Sequence, residues 1–478
     1  MLYARVAFLI AILVISASLL TGLSKQESFG SAFKNPLQLS SENGVLEVTF
    51  DTSMSPAEVN GKPFISAQYN GSVAPPTLRV KPGDTIKLTV NNKLEAMTNV
   101  HYHGMQVSPK SPSDDIFIMI SPNSSFDYTV KIPQDHPEGM YYYHAHLAGI
   151  TQFQIMSGLS GGLIVEGVTN PFPQLNGVKE QIMYLKDFQI HDGAIPPEAD
   201  IDPSAPTNFT VNGQTNPVIN MRPGETQFWK LFNIGADVYY DLEMDGITFY
   251  QIERDGYRQT RTLEKNELLI PTSARMGVLV QPKEKGTYQL RAKKFNTGPA
   301  GDNYGGATLL TLKVEGDPVE VPIALPIPEQ EFPKVENLCD IPVDNKRTIV
   351  FSETSDGNTF FINNREFDPA RIDTTVNVGT VEEWRIQNIS EELHVFHIHL
   401  TDFQVCEING KKQPFNGRQD TVNVPYMGQD PDVKGPGEVK VVIDFREPQI
   451  VGKAVYHCHI GEHEDNGMMA VFEVVQPE

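Results

Sequence analysis

A chain of 478 residues is too long for one ordinary domain and calls for two to four compact units. It carries 38 basic against 60 acidic residues, a net charge of −22, and a field of that sign repels nucleic acid and anionic membrane surfaces while concentrating cations. With 40% hydrophobic residues, 37 glycines and 35 prolines, the composition excludes a disordered chain and favours many short strands joined by turns.

In chain order, Arg5 precedes an uninterrupted apolar and small-residue stretch from Val6 to Leu23. It reads as a secretory signal with a small-residue cleavage site near Ser16–Ser18, or as one membrane anchor through residues 6–23. Residues 1–43 are therefore assigned to a signal or anchor plus linker. The remainder is expected to be exported: periplasmic, cell-surface or secreted. Asn70, Asn123, Asn208 and Asn388 each open a glycosylation sequon, which matters only in a host that glycosylates.

A weak repeat organises the rest. "YNGSVAPPTLRVKPGDTIKLTVNN", "VNGQTNPVINMRPGETQFWKLFN" and "INNREFDPARIDTTVNVGTVEEWRIQN" each hold an Asn-Gly or Asn-Asn turn, a second turn at Gly83, Gly224 or Gly379, and a strand ending in Asn. "TIKLTVNN" and "EEWRIQN" alternate at period two, as half-buried strands do. The pattern predicts an all-β chain of three antiparallel sandwiches: 44–168, 169–316 and, after a Pro-rich linker at 317–340, 341–478.

Ten of the 12 histidines fall in four clusters, "HYHG" (His101, His103), "HAH" (His144, His146), "HVFHIH" (His394, His397, His399) and "HCHIGEH" (His457, His459, His463). His136 and His191 stand alone and read as ordinary core or surface residues. Successive strand side chains face opposite ways, so His-x-His presents both imidazoles on one face. His457 and His459 then face away from Cys458, and His397 and His399 away from His394. Two sites result. His394, Cys458, His463 and Met468, the last two brought back by a turn, form the two-His, Cys, weak-Met set of a blue-copper centre. The other eight imidazoles exceed what one metal uses and suit a cluster of three, between the first and third domains. The Cys/Met centre decides for copper over zinc. Cys458 joins the sites by a covalent path on the order of 10 Å.

These four motifs, in this order, resemble those of the multicopper oxidases of the three-domain laccase type, from about residue 44 to the end. The resemblance implies three consecutive cupredoxin-like Greek-key β-sandwiches and four coppers: type 1 at His394, Cys458, His463 and Met468; type 2 at His101 and His397; and a type 3 pair at His103, His144, His146, His399, His457 and His459. It implies one-electron oxidation of a reducing substrate coupled to reduction of dioxygen to water. It also implies acidic proton-relay residues at Glu464 and at Asp114 or Asp115. Tyr102 stands where many members carry Trp, and Ala148 where the second motif often carries a further His; neither is a ligand position. Domain two, with only His191, reads as a spacer that also shapes the substrate face. No Met-rich insertion precedes the last motif, which favours phenols and aromatic amines over ferrous, cuprous or manganous ions as donors. The alternatives are a copper nitrite reductase or a non-catalytic copper-binding protein. The chain is expected to be a monomer. Cys339 and Cys406 are open to a disulfide, with Cys406 otherwise a small core residue.

Overall fold

The computed structural model describes residues 30–477. The apolar stretch Val6–Leu23 lies outside the described residues; among these, no helix is long and apolar enough to cross a membrane.

Strands dominate, and the only α-helices among the described residues are the short Thr151–Ser157 and Gly461–Asp465. In the N-terminal third, a five-stranded sheet ending in Gly139–His144 and His101–His103 packs on a four-stranded sheet built around Val45–Val59 and Thr85–Asn92. Leu46, Val48 and Phe50 from one sheet and Leu78, Val80 and Leu163 from the other fill the core between them. The middle and C-terminal thirds each repeat the arrangement with a six- and a five-stranded sheet. Thr85–Asn92 and Val381–Asn388 bury alternate side chains along most of their length, as their sequence pattern predicts.

The sandwiches are mixed rather than purely antiparallel. Val45–Val59 runs parallel to Thr85–Asn92, and equivalent parallel pairs join Lys179–Phe188 to Gln227–Asn233 and Asn345–Glu353 to Val381–Asn388. The chain reaches each such partner after a strand in the opposite sheet (Thr77–Val80 in the first unit), and that excursion is the crossover a parallel pair requires.

The asparagine that ends each repeat has a structural reason. Asn92, Asn233 and Asn388 are buried. Each side-chain amide donates to two carbonyls: Ala96 and Ile120, Val238 and Ile270, Glu392 and Val424. Each Oδ1 accepts a backbone N–H two residues on, from Leu94, Gly235 or Ser390. One side chain thus satisfies several buried polar groups at once and pins the loop that follows the strand. In the first and third units that loop leads into His101 and His394.

Cys339 and Cys406 are disulfide-bonded, with Cα atoms 5.8 Å apart. The bridge ties the end of the inter-domain linker to the strand Phe403–Ile408, among Leu338, Val381 and Val442. Of the two readings the sequence left open, the disulfide holds, with Cys406 buried in this cluster.

Candidate metal centre

His394–Ile398 pairs antiparallel with Gly452–Cys458, setting Phe396 opposite Cys458 and His397 opposite His457. The short helix Gly461–Asp465 then brings His463 back over the same strand end. Cys458 Sγ lies 3.5 Å from His463 Nδ1 and 3.8 Å from His394 Nδ1, and these two nitrogens are 3.0 Å apart. The opposite ring nitrogens are held elsewhere, His394 Nε2 by Ser390 Oγ at 2.7 Å and His463 Nε2 beside Glu392 Oε1 at 3.2 Å. The backbone N–H of Val395 donates to the sulfur at 3.3 Å. Met468 is fully buried, and its carbonyl accepts the Cys458 N–H at 3.0 Å. Burial lowers His394 to about 3 and, helped by His394, takes His463 well below the imidazole range; it pushes the Cys458 thiol up. Two neutral imidazoles thus face a thiol whose proton a metal would displace.

The eight remaining clustered histidines meet where the first and third sandwiches abut, all of them buried. Rings from the two sandwiches stack in pairs, His101 on His399 at 3.9 Å and His103 on His397 at 3.8 Å. His457 Nε2 is 3.3 Å from the Nε2 atoms of both His146 and His399. Several trios present nitrogens within 4.8 Å of one another, among them His101, His103 and His144. His101 Nε2, His144 Nε2, His397 Nε2 and His103 Nδ1 have no hydrogen-bond partner, whereas the second nitrogens of the first three are engaged by Asp114, the Ala145 carbonyl and the Asp420 carbonyl. Buried polar atoms are seldom left unpaired, and four bare imidazole nitrogens in one space fit metal ions. Burial lowers His144 to about 3 and His146 to about 4, and takes His101, His103, His397, His399 and His459 well below the usual range. Neutral imidazoles with a soft cysteine sulfur nearby are a donor set suited to copper.

The acidic candidates separate. Glu464 is buried, its two oxygens 3.3 Å from His146 Nδ1 and 3.0 Å from His457 Nδ1. Burial pushes its carboxyl up, but the imidazoles of His146 and His457 outweigh this and hold it at about 2. Asp114 Oδ1 accepts from the Tyr102 N–H and lies 3.0 Å from His101 Nδ1. Asp115 turns away and caps the local turn through the Phe117 N–H. His136 is a buried histidine with both nitrogens engaged, and His191 is exposed.

Five participants carry no motif. Tyr142 OH meets His459 Nε2 at 2.9 Å, and Asp420 lies under His103 and His397. Asp420 in turn pairs with Arg275 of the middle sandwich. Glu392 sits beside His463 Nε2, and Glu353 is the neighbouring carboxyl that acts on Glu392. Burial and this neighbour push Glu392 up to about 11. The middle sandwich is thus more than a spacer: besides Arg275, the Ala236 carbonyl accepts from Gly461 N–H and Asp237 accepts from Glu462 N–H.

Multicopper oxidase family models match residues 51–170, 181–316 and 340–478, and the chain belongs to the multicopper oxidase family. It is an oxidase of the kind that uses copper, a reducing substrate and dioxygen. The multicopper oxidase mco of Staphylococcus aureus is 28% identical over 85% of this chain and 83% of its own length. Among solved structures, the Campylobacter jejuni multicopper oxidase described as a metallo-oxidase matches with TM-score 0.77 and 27% identity, covering 93% of this chain and 95% of that one. A laccase from Pediococcus acidilactici matches with TM-score 0.78 and 25% identity, covering 93% and 94%. Relatives also include cell division protein FtsP of Gallibacterium anatis, 25% identical over 80% of this chain and 79% of its own.

Proposed function

We propose that the protein holds four coppers and couples one-electron oxidation of a donor to four-electron reduction of dioxygen to water. The carrying observation is the tripeptide His457–Cys458–His459, whose sulfur faces His394 and His463 while its imidazoles face the eight-histidine space. Copper at His394, Cys458, His463 and Met468 would take single electrons, and copper at His101, His103, His144, His146, His397, His399, His457 and His459 would serve dioxygen. Cys458 and its two peptide neighbours join the sites through covalent bonds. Glu464 and Asp114, both buried against these imidazoles, would pass the protons that water formation consumes. Asp115 has no part in this reading. The chain acts as an exported monomer, with residues 6–23 as its export or anchoring signal. Bound copper tests the class: about four per chain supports it, about two points to a nitrite reductase, and one or none to a binding protein.

The donor this edge favours is a metal cation. Glu392 beside His463 and Glu353 against Glu392 put two carboxyl groups sharing a proton, and so one negative charge, near this ligand, and the Campylobacter relative is described as a metallo-oxidase. Phenols and aromatic amines are the second reading. The exposed Ile389 and Met427 support it, flanking Ser390 at the same edge, where an aromatic ring can pack. Steady-state rates on ferrous ion, cuprous ion and a phenol, at two salt concentrations, decide. Metal-ion rates that exceed the phenol rate and fall with salt and in Glu353→Gln support the first reading; a dominant, salt-insensitive phenol rate supports the second.

A further inference from the structure

We propose that Arg275, from the middle sandwich, is a positioning residue for the histidine cluster. It begins the strand Arg275–Val280 and is fully buried. Nη1 and Nη2 donate to the two carboxylate oxygens of Asp420 at 2.8 and 2.6 Å, Nη1 also donates to the Ser273 carbonyl, and Nε donates to the Met140 carbonyl at 3.1 Å. Asp255 accepts the Arg275 backbone N–H and neutralises the charge from behind. One guanidinium therefore links all three sandwiches: its own, the strand Gly139–His144 of the first, and Asp420 of the third.

What it holds still is the second nitrogen of a cluster histidine. The Asp420 carbonyl accepts the proton on His397 Nδ1 at 2.7 Å, and that bond leaves Nε2 bare. Asp420 Oδ1 lies 3.4 Å from His103 Nε2, and the His103 and His397 rings stack. Asp420 Oδ1 also accepts from Thr421 Oγ1, itself 3.0 Å from Ser273 Oγ on the arginine's own chain segment. Gly104, next to His103, passes so close that a β-carbon there would come 2.3 Å from Asp420 Oδ2 and 2.9 Å from Arg275 Nη2. A fork donating in parallel to both oxygens fixes the plane of the Asp420 carboxylate, which a lysine's single ammonium cannot do. The plane of that carboxylate and the carbonyl beside it set how two imidazoles from different sandwiches face each other. Partners that fix ligand orientation matter for metal affinity by about 10–100-fold.

This rests on the copper reading above, and wild-type protein tests that reading first: without a blue thiolate band and bound copper, the reading itself fails. In protein that passes, Arg275→Lys and Gly104→Ala disturb the ion pair from two sides. Both should keep the blue band, because Arg275 and Gly104 touch none of His394, Cys458 and His463. Both should weaken copper at the histidine cluster by about 10–100-fold in chelator competition and change its type 2 paramagnetic resonance spectrum. If Arg275→Lys does not fold, Gly104→Ala carries the test. Wild-type cluster affinity and spectrum in a blue, folded variant would overturn the proposal. So would loss of the blue band in step with the cluster copper in a variant that stays folded, since the effect would then not be confined to the cluster.

Discussion

Asp114 and Asp115 are adjacent in sequence, yet the structure separates their expected effects by more than an order of magnitude. Asp114 Oδ1 takes two bonds, from His101 Nδ1 and the Tyr102 N–H, inside a site where Asp114 is 3% exposed. Burial pushes its carboxyl well above the usual range, and a copper ion carried by His101 works against that by favouring the ionised form. Asp114→Asn keeps an acceptor in place but removes the charge. A hydrogen bond to a charged group contributes about 1.5–3 kcal/mol and a neutral one about 0.5–1.5, so the loss is about 1–1.5 kcal/mol. That is about tenfold in copper affinity at the cluster. Asp114→Ala removes both bonds, and about 100-fold follows, the upper end of what such partners contribute. Asp115→Asn alters only a turn bond to Phe117 and should leave copper affinity unchanged. Chelator competition followed at the cluster, with the blue band as internal reference, reads all three variants. Equal effects at the two positions, or wild-type affinity in Asp114→Ala, would refute the reasoning.

Cys458→Ser should abolish the intense visible band and turnover while copper stays on the eight histidines; a blue Cys458→Ser protein would contradict the ligand assignment. Met468→Leu should raise the potential of the thiolate site, because losing a weak donor disfavours the oxidised metal, and redox titration checks it. An unchanged potential with lowered stability would make Met468 a packing residue. The Cys339–Cys406 bridge closes 67 residues, for which chain entropy gives about 4 kcal/mol. Cys406→Ser should therefore lower the denaturant midpoint of the third sandwich while the blue band persists below the transition. A shift worth under about 1 kcal/mol would mean that the bridge is entropically idle.

The two groups of histidines were legible because strand parity converts spacing into direction. The single residue between His457 and His459 is enough to predict two sites on opposite faces. The repeats were legible as pattern, but the reason for Asn92, Asn233 and Asn388 was not, since it lies in carbonyls supplied by later loops. Parallel and antiparallel strands alternate alike, so the sequence pattern could not distinguish them, and the parallel pairs came as a correction. Glu353 and Glu392 lie in different strand–loop segments, and the alignment of Asp115 with a turn depends on backbone geometry rather than residue type.

The layer around the clustered histidines resists reading for a further reason: much of it needs no particular side chain. His144, His397 and His457 each engage their second nitrogen with a main-chain carbonyl, from Ala145, Asp420 and Cys458. Any residue supplies a carbonyl, so what matters at such positions is where the backbone runs. That places the burden on whatever fixes the backbone, which for Asp420 is an arginine 145 residues away in another sandwich. A domain that contributes none of the clustered histidines thus reaches their surroundings, through a side chain that no local motif announces.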